Sequence, residues 1–287
     1  HFVTRETSLR TVMEKKMIDL SINTQLATKI LSNFIHSEIT RAGFKRAVLG
    51  LSGGLDSALS CFLAAKALGP ENVLAVRMPY RTSSQDSLND AQKVIDATGV
   101  NSLTIPITDM ADPLINHFPD MDNMRKGNIM ARIRMVVLFD QSAAFNGLVV
   151  GTGNKTEILL GYTTIYGDSA CAINPLGDLY KTQVRQLSRD LGVPTSVIDK
   201  APSADLWKGQ TDEGELGFTY EEVDRLLIRL VDERFTPQEC VEAGFAKSFV
   251  DEVVKRIRRN HFKRVMPPIC KLNNRTIGYD FLYPRDY

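Results

Sequence analysis

The chain has 287 residues, and its 35 lysines and arginines nearly balance its 34 aspartates and glutamates. This balance offers no broad positive surface to a nucleic acid, and no run approaches the roughly 20 apolar residues that a membrane span requires. Its four cysteines are scattered without a Cys-x-x-Cys pair, which argues against a zinc site and is typical of reduced thiols in the cytosol. We therefore expect a cytoplasmic protein without a nucleic-acid or membrane partner.

Elements near the N-terminus lead up to the first motif. Residues 21–42 form the first predicted helix, because their apolar side chains recur at helical spacing, and residues 1–20 are interpreted as an N-terminal extension. Residues 47–51 are short and continuously apolar, which is typical of a buried strand in a parallel sheet. A second helical pattern begins at Leu55 and stops at Gly69.

The loop between this strand and this helix reads Leu-Ser-Gly-Gly-Leu-Asp-Ser over residues 51–57. A strand, a glycine loop and a helix together bind anions, because free backbone N–H groups and the positive end of the helix point at a phosphate. Ser52 and Ser57 add hydroxyl donors. Asp56 would repel a phosphate unless a cation lay between them, so it is interpreted as a magnesium ligand.

The competing interpretation of this loop is a tight turn in which Asp56 is only a first-turn helix acid. A lone Gly-Gly pair would favour that turn, whereas the whole Ser-Gly-Gly-x-Asp-Ser string favours a nucleotide site. The loop lacks the lysine of a Walker A motif, and it is not a G-x-G-x-x-G fingerprint.

Three more segments are predicted as strands, at residues 72–78, 102–107 and 148–151, with helices between them. The longest of these helices spans residues 123–146. Strands that alternate with helices over crossover-length connections indicate an α/β fold with a doubly wound parallel sheet and helices on both faces. We predict the strand order 3-2-1-4, with room for a fifth strand.

The crevice of such a sheet lies at the carboxyl ends of the strands, where the chain order reverses. In the order 3-2-1-4 the loops after strands one and four flank this crevice, so Glu157 comes close to Asp56. Two acids beside a triphosphate again imply bound Mg²⁺. Lys181, near the start of a later helix, can reach a phosphate as a point charge; the competing interpretation is an exposed first-turn lysine.

Regular periodicity disappears over residues 204–217, which are polar and contain glycine. A connection of this length and composition is typical of an active-site lid, so we expect it to order when nucleotide and substrate bind. A plain disordered loop is the competing interpretation.

The motifs of the chain follow one another in a specific order. They run Leu51-Ser-Gly-Gly-Leu-Asp-Ser57, Gly127-Asn128, Ala131-Arg132-Ile-Arg134-Met135, Gly151-Thr152, Gly161-Tyr162-Thr163, Tyr166-Gly167-Asp168, Lys181-Thr182-Gln183-Val184 and Asp212-Glu213. Together they resemble the ammonia-dependent NAD synthetases, a family of PP-loop ATP pyrophosphatases, over residues 20–268. The resemblance implies an adenine nucleotide alpha hydrolase-like fold, a single domain over residues 21–268 and a tail over residues 269–287.

The reaction that the resemblance implies is the amidation of deamido-NAD (nicotinic acid adenine dinucleotide) to NAD by ammonia. ATP converts the carboxylate into an acyl-adenylate and leaves as pyrophosphate and AMP. Such a site needs charge neutralisation and alignment more than a protein nucleophile. The alternatives are another PP-loop amidating or thiolating enzyme, similar to GMP synthetase or to tRNA-modifying enzymes, and a nucleotide-binding regulator without turnover.

The resemblance also assigns residues by position. ATP would contact Gly50, Leu51, Ser52, Gly53, Gly54, Leu55, Asp56, Ser57, Thr152, Lys181 and Ser203. Asp56 and Glu157 would hold Mg²⁺, and with Lys181 they are the catalytic candidates. The dinucleotide substrate would contact Arg132, Tyr162, Thr163, Ile165, Asp168, Ala172 and Lys263. Ile165 and Ala172 stand where some members of the family carry a lysine and an acid.

Two further expectations concern partners. Members of the family are homodimers with the dinucleotide near the interface, and the helix over residues 123–146 is the natural contributor. We expect free ammonia as the nitrogen donor, because glutamine hydrolysis needs an activated nucleophile and only about twenty residues precede the first synthetase helix. A separate glutaminase that delivers ammonia in trans remains an alternative.

Overall fold

A parallel sheet lies at the centre of the protein, whose computed structural model describes residues 18–203 and 211–281. Its strands are β1 (Arg46–Gly50), β2 (Val73–Arg77), β3 (Asn101–Thr104) and β4 (Gly147–Val149). They lie in the order β3-β2-β1-β4, so the predicted order is confirmed. Within the described ranges no fifth strand joins the sheet, although an isolated parallel bridge between Val150 and Ile173 continues the line of β4.

The edge strand β3 ends earlier than the predicted strand at residues 102–107. Pro106 has no N–H group and cannot continue a regular ladder. The N–H groups of Ile105 and Ile107, on either side of it, still bond to the chain that continues β2. The direction of the chain is therefore kept, although the strand is shorter.

Helices cover the sheet. In chain order they are α1 (Thr24–Arg41), α2 (Leu55–Leu68), α3 (Gln85–Thr98), α4 (Thr108–Asn116), α5 (Asn123–Phe145), α6 (Lys155–Leu160), α7 (Lys181–Asp190) and α8 (Thr195–Ile198). No helix in the described part of the chain has both the length and the apolar character that crossing a membrane requires.

The two faces of the sheet are buried under different helices. Successive residues of a strand point to opposite faces. Ala47 and Leu49 of β1 accordingly pack with apolar side chains of α1, α2, α3 and α7, whereas Val48 packs with those of α4 and α5. The predicted doubly wound α/β sheet with helices on both faces is confirmed.

A further group of helices follows the sheet. It comprises α9 (Asp212–Leu216), α10 (Tyr220–Leu227) with a π-helical turn (Ile228–Asp232), α11 (Pro237–Glu242), α12 (Lys247–Arg259) and a 3-10 turn (His261–Arg264). Its apolar side chains form a third cluster that includes Leu160 at the end of α6 and Tyr180 just before α7. This contact places α10 directly behind the loops at the carboxyl end of the sheet.

Candidate active site

A cavity of about 1190 Å³ opens at the carboxyl ends of β1 and β4, where the sheet topology predicts a ligand site. Most of the predicted residues line it: Gly50, Leu51, Ser52, Gly54, Leu55, Asp56, Ser57, Thr152, Glu157, Tyr162, Thr163, Asp168, Lys181, Ser203 and Lys263. Four predicted residues do not line it: Gly53, Arg132, Ile165 and Ala172. The two loops that the strand order brings together therefore do meet.

The loop after β1 has the geometry of an anion cradle. Gly53 has a φ of +81°, and a Cβ added there would lie 2.1 Å from the carbonyl oxygen of Ser87, so only glycine fits. Gly54, the N-cap of α2, makes no side-chain bond to the first turn. Backbone N–H groups at the start of α2 are therefore left for a ligand. Ser52 and Ser57 lock the loop through their hydroxyl groups, which lie 3.0 Å apart.

Three charged side chains from three different elements meet beside this loop. The Lys181 ammonium Nζ lies 2.5 Å from Asp56 Oδ2 and 3.0 Å from Glu157 Oε1. Asn154 donates from Nδ2 to Asp56 Oδ1 at 2.8 Å. Because Lys181 is only 4% exposed, the competing interpretation of an exposed first-turn lysine is wrong.

Burial and charge set the protonation of this cluster. Burial raises the pKa of Glu157 to about 7; the ammonium of Lys181 opposes this rise and the charge of Asp56 adds to it. Burial alone would lower the pKa of Lys181, but the charges of Asp56 and Glu157 outweigh it and raise that pKa above its ordinary value. Lys181 is therefore a permanent cation at this place.

The donor set of the cluster suits a hard cation that arrives with phosphates. Within the described residues, no group of three or more acidic, histidine or cysteine side chains forms a metal cage. Mg²⁺ is usually held by one or two carboxylates together with substrate phosphates rather than by an all-protein cage. Asp56 and Glu157 supply the carboxylate oxygens that such a site needs.

Helix α9 closes one side of the site, and sequence reasoning missed its role. Asp212 accepts from the hydroxyl groups of Tyr220 at 3.0 Å and Tyr162 at 3.2 Å. The ring of Tyr220 lies under the ammonium of Lys181, with its centroid 5.0 Å from Nζ. The Asp212-Glu213 motif was a signal in the sequence, but nothing local linked it to Lys181.

The predicted lid over residues 204–217 differs from the structure in its last part. Residues 204–210 lie outside the described residues. The remainder is not irregular, because Thr211 caps α9 by accepting from the N–H of Gly214. A five-residue helix is too short to show a periodicity in the sequence.

The opposite end of the cavity is built from the loop over residues 161–170. Asp168 accepts from the Thr163 hydroxyl at 2.5 Å and from the Thr164 N–H at 2.7 Å. Lys263 donates to the carbonyl oxygens of Gly161 and Thr163, both at 2.8 Å. Burial lowers the pKa of Lys263. Lys263 therefore holds the backbone of this loop.

Arg132 and Ile165 contact each other outside the cavity, since Arg132 Nε donates to the Ile165 carbonyl at 3.3 Å. Four arginines that sequence reasoning did not assign to the site do line the cavity: Arg77, Arg134, Arg185 and Arg256. Arg134 donates to the Met78 carbonyl at 3.0 Å. Arg185 lies one helical turn after Lys181, a spacing that could have indicated it.

Comparisons with known proteins identify the relatives of this chain. The family described as NAD synthase matches residues 27–267. The NH(3)-dependent NAD(+) synthetase of Trichlorobacter lovleyi is 58% identical over 271 residues, which cover 94% of this chain and 99% of that protein.

Two solved structures extend the likeness to the fold. The NMN synthetase from Francisella tularensis has a TM-score of 0.78 and 32% identity, over 88% of this chain and all of that one. The NH3-dependent NAD synthetase from Campylobacter jejuni, in complex with the nitrate ion, has a TM-score of 0.74 and 34% identity, over 87% of this chain and all of that one. The chain shares the adenine nucleotide alpha hydrolase-like fold of these proteins. Because the family model and the identity to its relatives cover nearly the whole chain, the chain belongs to the NAD synthase family.

Proposed function

We propose that the protein is an ammonia-dependent NAD synthetase, which amidates deamido-NAD to NAD while ATP is cleaved to AMP and pyrophosphate. The observation that carries this proposal is the cluster of Asp56, Lys181 and Glu157 beside an anion-binding loop, at the crevice of the sheet. The high identity to a relative named NH(3)-dependent NAD(+) synthetase supports the same reaction.

The chemistry has two steps. In the first, a carboxylate oxygen of the substrate attacks the α-phosphorus of ATP, and the bond to pyrophosphate breaks. In the second, ammonia attacks the acyl carbon of the adenylate, the bond to AMP breaks and a proton is released. Both steps move negative charge onto phosphate oxygens, so the site must supply positive charge in fixed positions.

The residues of the chain divide this task. The N–H groups at the start of α2 bind phosphate, and Lys181 presents a cation that its carboxylate neighbours keep protonated. Asp56 and Glu157 would hold Mg²⁺, which supplies further charge neutralisation on the phosphates when it is bound. The ring of Tyr220, whose hydroxyl donates to Asp212, lies against the ammonium.

The cavity has room for large nucleotide substrates. Pockets for single small ligands occupy roughly 300–1,000 Å³, whereas this cavity has about 1190 Å³. Its walls run from the phosphate loop to the loop that Asp168 and Lys263 hold together.

We infer further that the protein is a cytoplasmic homodimer. Exposed apolar side chains lie on α4 (Met110 and Leu114) and on α5 (Val136 and Phe139). Arg132, a predicted substrate residue, lies one helical turn before Val136 and therefore on the same side of α5. A partner on this face would bury the apolar side chains and bring Arg132 to a subunit boundary.

A second candidate function is the amidation of nicotinic acid mononucleotide. It is favoured by the likeness to the NMN synthetase from Francisella tularensis. The higher identity to the Trichlorobacter lovleyi enzyme favours the dinucleotide.

One experiment tests the two candidate reactions together. The purified chain is incubated with ATP, Mg²⁺, ammonium and either deamido-NAD or nicotinic acid mononucleotide, and the amide product and AMP are quantified. We expect NAD and AMP in equal amounts from deamido-NAD, much less product from the mononucleotide, and none when a chelator removes Mg²⁺. Glutamine freed of ammonia should not replace ammonium. Absence of NAD with both nitrogen donors would refute the proposed function.

A further inference from the structure

Asp224 of α10 is a carboxylate that lies outside the cavity and is completely buried, with 0% exposure. A buried carboxylate is costly unless hydrogen bonds satisfy it, so its partners indicate what it is kept for. Its motif, Tyr-Glu-Glu-Val-Asp, gives no sign of a role in the sequence.

Both oxygens of Asp224 are used, one by the start of α7 and the other by Thr156 of α6. Oδ2 accepts from the backbone N–H of Thr182 at 2.9 Å. Oδ1 accepts from the hydroxyl of Thr156 at 2.5 Å, and Thr156 Oγ1 accepts in turn from the backbone N–H of Lys181 at 3.0 Å. One carboxylate therefore satisfies, directly or through Thr156, two N–H groups in the first turn of α7.

This arrangement replaces the usual side-chain cap of the helix. The residue before α7 is Tyr180, whose hydroxyl donates instead to Asp232 at 3.0 Å. A negative charge at the N-terminus of a helix is favoured by the helix dipole. Asp224 thus acts on α7 as a capping group from a distant part of the chain, 42 residues from Thr182.

The same carboxylate also links the two helices that carry Glu157 and Lys181. Thr156 is the neighbour of Glu157 in α6, and Thr182 is the neighbour of Lys181 in α7. The bonds of Asp224 therefore join the backbones that carry these two charged side chains. Lys181 Nζ and Glu157 Oε1 lie 3.0 Å apart on the cavity side of this link.

We propose that Asp224 is a positioning residue for adenylation: it holds the start of α7 against α6, so that the Lys181 ammonium stands at a fixed place beside Glu157 and the phosphate loop. This inference rests on the proposed function of that site. Misplacement of a catalytic group by about 1 Å can cost roughly 100-fold in rate, so a bond behind the site matters to chemistry that it never touches.

The test uses variants that keep the size of the side chain. Asp224→Asn removes the charge and one acceptor, and Thr156→Val removes the hydroxyl relay, whereas Thr156→Ser keeps it. We expect Asp224→Asn and Thr156→Val each to lower kcat about 10- to 100-fold with little change in the KM for deamido-NAD. The kcat of the Thr156→Ser variant should remain close to that of the unchanged protein.

Glu222→Gln is the matched control, because it makes the same change of charge on α10 and Gln preserves a capping box. Its kinetics should not change. Circular dichroism and melting temperature show which variants fold; if Asp224→Asn does not, Thr156→Val and Thr156→Ser carry the test.

A double-mutant cycle with Lys181→Met separates positioning from general stability, with the Kd of ATP measured by calorimetry. If Asp224 acts through Lys181, Asp224→Asn or Thr156→Val weakens ATP binding in the protein that keeps Lys181. Neither substitution weakens ATP binding further in the protein that already carries Lys181→Met. Additive losses, or full activity of both variants in an active enzyme, would overturn this inference. An inactive unchanged protein would instead refute the proposed function.

Discussion

The two ends of the cavity are constructed differently. At the phosphate end, Asp56, Glu157 and Lys181 come from separate elements, and the buried ammonium of Lys181 bonds to both carboxylates. At the other end, Asp168 and Lys263 bond mainly to the backbone of one loop, which they hold in shape. The first end is made of fixed charges, and the second is a loop whose form depends on two supports. Reactions at phosphate groups need charges in fixed positions, as at the first end. The shape of the loop at the second end can change, and the choice of substrate can change with it.

The largest expected effect comes from removing the central charge of the phosphate end. Lys181→Met should lower kcat about 1,000-fold, because a preorganised positive charge is lost where phosphate charge develops. NAD and AMP formation under saturating ATP and Mg²⁺ measures it. Lys155→Met is the control, since this neighbouring lysine bonds to Asp178 and Asp232 and does not line the cavity. Comparable losses in both variants would contradict a special role for Lys181.

The other end of the cavity should respond in KM rather than in kcat. Lys263→Met removes the donor that holds the carbonyl groups of Gly161 and Thr163. We expect the KM for deamido-NAD to rise about 10-fold, in line with the loss of one charge-assisted hydrogen bond, and the KM for ATP to stay unchanged. Lys247→Met, at an exposed lysine on α12, serves as the control. An equal rise in both KM values would remove the distinction between the two ends.

A further prediction asks whether the substrate end extends to a second subunit. Val136→Glu places a charge on the exposed apolar side of α5 and should shift the protein from dimer to monomer in light scattering at micromolar concentration. Activity should fall with it, because Arg132 lies on the same side of the helix. Leu26→Glu is matched in exposure and lies on α1, away from this face. A fully active monomer, with or without the substitution, would exclude the dimer as part of the site.

The smallest effect concerns the wall behind the phosphate loop, where α3 carries the buried Asp90. Burial alone would raise the pKa of Asp90, but bonds from Lys93, Ser196 and Lys200 hold it below its ordinary value. A lowered pKa stabilises the fold above the unfolded value of about 3.9, and this contribution is lost as the pH falls through the folded value.

Asp90→Asn should therefore cost about 1–3 kcal/mol in the free energy of unfolding at pH 7. In urea titrations the difference should stay constant down to about pH 5 and shrink below about pH 4. Asp96→Asn, at an exposed position of the same helix, should show neither effect. A difference that does not depend on pH would assign the role of Asp90 to packing.

The contrast between the two ends also explains what the sequence could predict. The strand order, the phosphate loop and the meeting of Asp56 with Glu157 follow from short-range patterns and the topology of doubly wound sheets. The partners of Lys181 and Asp224 do not, because Lys181 lies 125 residues from Asp56 and Asp224 lies 68 residues from Thr156. Periodicity reports only local structure, so it identifies the helix that carries Asp224 without saying what the carboxylate faces.

Two predicted boundaries differ from the structure for local reasons. Pro106 shortens β3 where the apolar run continues, and Thr211 begins a helix too short to be seen as a pattern. The division into an extension, a domain over residues 21–268 and a tail stays a prediction, as do the individual substrate contacts of Ile165 and Ala172.

The ammonium of Lys181 has a consequence for how the protein can be handled. Two neighbouring carboxylates without a counter-ion would repel each other, and many metalloproteins lose their fold when a chelator removes the ion that separates such groups. Here the counter-ion is the ammonium of Lys181, which belongs to the chain itself. Asp56 and Glu157 are therefore partly neutralised without a metal. We therefore expect the protein to keep its fold in buffers with chelators, whether or not the reaction itself requires magnesium.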